Sequence, residues 1–119
     1  IHSESYAAGE LKHGTISLVD EDVPVIAVAT QTDIIPKTIS NVVEVKSRGA
    51  KVILVCTDAC ARELKDGVAD YVIEIPHTDE LLMPITAVVP LQILAYYTSI
   101  NRGIDPDKPK NLAKSVTVE

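Results

Sequence analysis

The run Val25-Ile-Ala-Val-Ala-Thr30, answered across a helix-length gap by Val52-Ile-Leu-Val-Cys-Thr57, decides the fold of this chain. Each run has strand length and is rich in β-branched residues. Each is apolar continuously rather than alternately, so both faces are expected to be covered, as in a parallel sheet. Between the runs, Ile39, Val42 and Val45 recur at helical spacing, and Arg48-Gly49 closes the segment. The pattern predicts a βαβ unit with the usual right-handed crossover.

Working outward, Tyr71 to Ile75 is a third apolar run, interrupted only by Glu74, and a shorter crossover through Ala59 to Lys65 leads into it. Met83 to Arg102 reads as a long helix that Pro84 opens, Pro90 should kink and Gly103 stops. Because it is apolar nearly all round, it is expected to be buried on more than one side, against another domain or subunit. Upstream, Ser3 to His13 reads as a helix. Ser3 can cap it, Glu4 suits its amino end, Lys12 and His13 suit its carboxyl end, and Gly14 can take a left-handed stop. From Ile104 to Glu119 the character changes to a tail with Pro106 and Pro109 among charges and no helical period.

Three strands are fewer than an open parallel sheet ordinarily has, and no strand precedes the first helix. The expected fold is α/β: a partial three-layer α/β/α sandwich with a parallel, flavodoxin-like sheet, incomplete on its amino-terminal side. Residues 1–103 form the incomplete domain and residues 104–119 its tail. In such a sheet the ligand crevice lies at the carboxyl ends of the strands, near a switch point that depends on the missing strands.

Composition narrows the function classes. The chain has 119 residues and is 46% hydrophobic, with no Phe or Trp and four Tyr, so its core must be aliphatic. A formal charge of -6 with scattered bases speaks against a nucleic-acid surface. Cys56 and Cys60 lack the further Cys and His that a zinc site requires, and read as free thiols in a reducing compartment. No metal set and no cofactor motif is read. No basic segment precedes an apolar stretch at the start, and Pro84, Pro90 and Gln92 break the longest apolar run. The expectation is a soluble, cytoplasmic protein with no membrane contact.

Three segments carry a specific resemblance. Glu4-Ser-Tyr-Ala-Ala-Gly-Glu-Leu-Lys-His-Gly14, Val89-Pro-Leu-Gln-Ile-Leu-Ala-Tyr-Tyr97 and Asp105-Pro-Asp-Lys-Pro-Lys-Asn-Leu-Ala-Lys-Ser-Val-Thr-Val-Glu119 together resemble the end of the isomerising glutamine-fructose-6-phosphate aminotransferases. The last of them separates these enzymes from other sugar isomerase (SIS) domain proteins. The resemblance implies an enzyme that releases ammonia from glutamine in an amino-terminal domain. Two sugar isomerase domains then convert fructose 6-phosphate to glucosamine 6-phosphate. This chain matches the end of the second isomerase domain and the tail. The amidotransferase domain, the first isomerase domain with its Ser/Thr phosphate loop, and the glutamate base just upstream of Ile1 fall outside it.

The resemblance further implies roles for three residues. His13 matches the histidine that assists sugar ring opening and reaches the neighbouring subunit's active site, which makes a homodimer the expected partner state. Lys114 matches the tail lysine that engages the sugar carbonyl as an imine, and Ala113 with Lys114 belongs to the substrate-binding tail. Read without the resemblance, His13 is a cation at a helix end and Lys114 a solvated tail charge. Glu10 can either orient His13 or pair with neighbouring charges, and His2 and His77 read as structural or surface residues. The chemistry is consistent with both catalytic roles. An imidazole can carry a proton between anomeric hydroxyl and ring oxygen, and a lysine attacks a carbonyl once burial or a nearby cation has removed its proton. Two other readings compete. One is a non-catalytic sugar-phosphate-binding module of the same fold, which needs no reactive lysine. The other is an isomerase or deaminase of this type without an amidotransferase domain.

Overall fold

A computed structural model describes residues 2–108. Ala113 and Lys114 lie outside these residues. Three strands, β1 (Pro24–Ala29), β2 (Lys51–Thr57) and β3 (Tyr71–Ile75), form one sheet in the order β1-β2-β3. Both pairings are parallel, with Val25 opposite Val52 and Leu54 opposite Val72. The crossover β1 to β2 carries α1 (Ile35–Lys46), and β2 to β3 carries α2 (Asp58–Glu63). The parallel α/β reading therefore holds, and each strand boundary falls within a residue of its expected place.

The register sorts the side chains into two faces. On one, Val25, Ala27 and Ala29 of β1 continue into Val52, Leu54 and Cys56 of β2, which are wholly enclosed. Val42 and Val45 of α1, Cys60 of α2 and Val68 close over them as one cluster. Enclosing a side chain the size of Leu54 contributes about 1.5–3 kcal/mol, so this face is the main source of stability. On the other face Val55, Thr57 and Ile75 are buried. Their neighbours Ile26, Val28 and Tyr71, however, stand 43%, 40% and 66% exposed.

Covering of both faces was expected for all three strands. Only β2 has it, because the described residues supply one helical layer and little of a second.

Two loops are fixed by backbone requirements. Gly49 has φ +92, and a Cβ there would stand 3.0 Å from the Cα of Glu21, so a side chain is excluded twice over. Asp70 ties β2 to the entry of β3: its N–H donates to the Val52 carbonyl, while its carboxylate accepts from the Val52 N–H at 2.7 Å and from Lys46 Nζ.

The amino-terminal segment departs from expectation. In place of one helix over Ser3–His13 there are two short 3-10 turns, Glu10–His13 and Thr15–Leu18, separated by Gly14 at φ 151. Ser3 caps nothing, and the first turn buries no residue. A helix of this length without a packed face is marginal in water, which accounts for its absence here.

Among the described residues, those up to Ala87 form one compact unit and those from Val88 to Lys108 belong to a second. Helix α3 (Met83–Asn101) begins in the first unit, with Pro84 in its opening turn, and runs on through Pro90. It ends in a Schellman motif, in which Gly103 at φ 68 donates to the Ile100 carbonyl and Ile104 to that of Ser99. By length and composition α3 is apolar enough to cross a membrane, with a hydropathy of 1.3, and 11% of its residues are buried. Burial on more than one side, expected from its composition, is not met among the described residues: Ile85, Val89, Ile93 and Tyr97 are exposed.

Candidate functional site

His13 closes the first 3-10 turn and is solvent-exposed. Such a turn repeats every three residues, so three consecutive side chains leave it in three directions. Leu11 packs toward the main cluster. Lys12 extends to α1, where its Nζ meets Oε2 of Glu44 at 2.9 Å. His13 takes the remaining direction, into a cleft of about 480 Å³ that it shares with Tyr6, Glu10, Gly14, Thr15, Ser17 and Leu18.

Local hydrogen bonds hold the wall of this cleft. Thr15 Oγ1 donates to the Leu11 carbonyl at 3.5 Å, and both the N–H and Oγ of Ser17 donate to the Gly14 carbonyl, at 3.0 Å and 2.7 Å. Ile16, between them, is buried in the main cluster. At the rim Tyr6 donates to the Glu4 carboxylate, which lowers Glu4 below the usual carboxylate range and raises the Tyr6 phenol. His2 adds a contact to Glu4 at 3.1 Å.

An imidazole between hydroxyls in an open cleft can take up or deliver a proton, but the cleft has a wall on one side only. A small-ligand site normally encloses most of its ligand.

The structure brings Glu10, already weighed as a partner for His13, into the same cleft. It adds Tyr6, Thr15, Ser17 and Leu18, which sequence reading did not single out. Thr15, Ser17 and Leu18 follow directly on His13, so a turn at Gly14 was the available signal. The Lys12–Glu44 pair joins residues far apart in sequence and left no local signal. Ala113 and Lys114, expected to contact the substrate, lie outside the described residues.

Other candidates carry little chemistry. Cys56 and Cys60 are both free and buried. Burial first, and then the neighbouring Cys60, push the Cys56 thiol up to about 12, while burial raises Cys60. Thiols held this way are not nucleophiles at neutral pH. Among the described residues no three His, Cys, Asp or Glu side chains gather as a metal set.

Comparison with known proteins gives the site a context. The profile of the family described as "SIS domain" matches residues 1–102. The chain is 54% identical over 119 residues to the glutamine--fructose-6-phosphate aminotransferase [isomerizing] of Clostridium perfringens, covering all of this chain and 20% of that protein. It is likewise 54% identical to the protein of that name from Caldanaerobacter subterraneus, covering 19% of it. The C-terminal domain of glucosamine-fructose-6-phosphate aminotransferase from Francisella tularensis superimposes with a TM-score of 0.82 at 37% identity, over 88% of this chain and 29% of that one. The chain thus spans about a fifth of the length of the curated relatives it matches.

Proposed function

This chain belongs to the SIS domain family, matched over residues 1–102, and from that premise we propose that it is the carboxyl-terminal part of an isomerising glutamine-fructose-6-phosphate aminotransferase. The observation that carries the proposal is identity of 54% along the whole chain, with its Lys12-His13-Gly14 turn and its tail. In this reading residues 1–103 close the second sugar isomerase domain and residues 104–119 form the catalytic tail. The whole enzyme converts fructose 6-phosphate and glutamine to glucosamine 6-phosphate and glutamate, in the cytoplasm and as a homodimer.

The chain's own residues would act in sequence. Furanose fructose 6-phosphate opens when the proton of its anomeric hydroxyl is removed and the ring oxygen receives one, leaving a ketone at C2. His13, exposed at the cleft, would carry out that transfer. Its one-sided cleft supports a role opposite a second surface, which the homodimer supplies. Lys114 would then attack the C2 carbonyl with loss of water to give an imine, and Ala113 beside it would line the sugar. The base for isomerisation, the phosphate loop and the ammonia source belong to the remainder of the enzyme.

The same reading assigns the apolar surface of α3. The helix falls inside the matched family region, so its side chains are read as packing surface within the assembled enzyme and not as a membrane span. A sugar-phosphate-binding module or an isomerase without an amidotransferase domain fits less well, since the relatives matched along the full chain carry the aminotransferase name.

The test is to express the full reading frame and assay glucosamine 6-phosphate from fructose 6-phosphate and glutamine. Production that stops when glutamine is withheld supports the reading. Isomerisation with no amino sugar formed rejects it.

A further inference from the structure

We infer that Glu44 of α1 is a positioning residue for His13, acting through Lys12. The inference rests on the ring-opening reading of His13.

In a 3-10 turn, consecutive side chains are about 120° apart, so fixing two directions fixes the third. Leu11 holds one direction by packing on the main cluster. That contact is apolar and non-directional, so by itself it does not set the rotation of the turn. Lys12 supplies the second direction, with Nζ 2.9 Å from Oε2 of Glu44.

Besides these, the turn is held by the bond from Thr15 Oγ1 to the Leu11 carbonyl, at 3.5 Å, and by burial of Ile16 just beyond Gly14, neither of which fixes the direction of Lys12. The Glu10–His13 turn buries no residue and has no side-chain cap. Gly14, which follows His13 at φ 151, allows the chain a pivot there. Glu44 itself stands in the last turns of α1 between Val42 and Val45, both buried in the core, so its backbone is fixed relative to the sheet. Without Glu44, His13 keeps its chemistry and loses its aim. Both partners are partly exposed, at 47% and 37% of their side-chain surface, so the effect is expected to be modest and sensitive to salt.

The test uses the full-length enzyme and two substrates: fructose 6-phosphate, which must be opened, and its analogue lacking the 5-hydroxyl, which cannot form the furanose ring. Glu44→Gln and Lys12→Met should each lower kcat/KM for the cyclic sugar about two- to fivefold, the scale of a partly exposed ion pair, and leave the open-chain analogue unaffected. The exchange Lys12→Glu with Glu44→Lys should restore the cyclic rate. Glu44→Asp, which keeps the charge on a shorter stem, should fall between, and serves if Glu44→Gln folds poorly. His13→Ala is the control. If it lowers the cyclic-to-open ratio and Glu44→Gln does not, or the charge exchange fails to restore the rate, the role of Glu44 is rejected while His13 stands. If His13→Ala leaves the ratio unchanged, the ring-opening reading itself falls, and this inference with it.

Discussion

Asp70 joins three pieces of the chain through one carboxylate, accepting from Lys46 of α1 and from the Val52 N–H at the start of β2 while its own N–H bonds back to Val52. The bond from Lys46, then that from Val52, hold its carboxyl below the ordinary 3.8. A depressed carboxyl contributes stability that is present above its unfolded pKa and lost as pH falls through the folded one. The stability gap between the native chain and Asp70→Asn should therefore be full at neutral pH and shrink below about pH 4. Urea midpoints measured at both pH values check this, and a gap independent of pH contradicts it. Cys56 sits at the opposite extreme, since a thiol raised to about 12 by burial should resist iodoacetamide at pH 8 unless the protein is unfolded. For Lys114 the proposed chemistry is directly trappable. Borohydride added with fructose 6-phosphate to the full-length enzyme should leave a reduced adduct on this lysine, found by peptide mass. Lys114→Arg should abolish it, because a guanidinium stays protonated and cannot attack a carbonyl. Glutamine hydrolysis should partly survive in that variant, and near-normal amino sugar production by it would remove Lys114 from the mechanism.

At the scale of elements, α2 shows how a short helix depends on the residue that caps it. It has only six residues, and Thr57, at φ -72 and ψ 158, accepts from the Cys60 N–H. Thr57→Ala should cost about 0.5–2 kcal/mol in denaturant unfolding, and no change would mean that packing of Cys60 alone holds the helix. Those elements whose signal is local were legible in the sequence. The strands announced themselves by apolar runs between turn residues, α1 by Ile39, Val42 and Val45, and the stop of α3 by Gly103. The helix expected at Ser3–His13 was not found, because caps and end charges favour a helix only where a face is also buried, and the turn at Glu10–His13 buries none. The site divides the same way. His13 and Lys114 were expected through motif resemblance, not from spacing. The hydroxyls of Thr15 and Ser17 are sequence neighbours of His13, while the Lys12–Glu44 pair became visible only when folding had brought separate segments together.

Among the described residues, many large apolar side chains stay uncovered. Ile26 and Val28 on β1, Tyr71 on β3, and Ile85, Val89 and Ile93 on α3 are all exposed, a surplus that marks surface meant for a partner. Sequence apolarity encodes burial in the complete assembly, which explains why both-face coverage was expected of every strand and reached only by β2. The catalytic parts are divided in the same manner. In the proposed enzyme the phosphate loop, the isomerisation base and the ammonia source lie in the remainder of the protein, and holding reactants in place supplies a large share of catalysis, about 7–11 kcal/mol for a well-oriented pair. The purified 119-residue chain should therefore form no glucosamine 6-phosphate from fructose 6-phosphate with either glutamine or ammonia. Its exposed faces should also make it bind an apolar dye and associate with itself more than the full-length enzyme does, as read by dye fluorescence and sedimentation. Supplying the missing part as a separate chain should quench the dye signal as the faces are covered, and amino sugar production should appear in step with that quenching. Activity from the isolated chain would place the base and the phosphate site within these residues and overturn the division of labour proposed here.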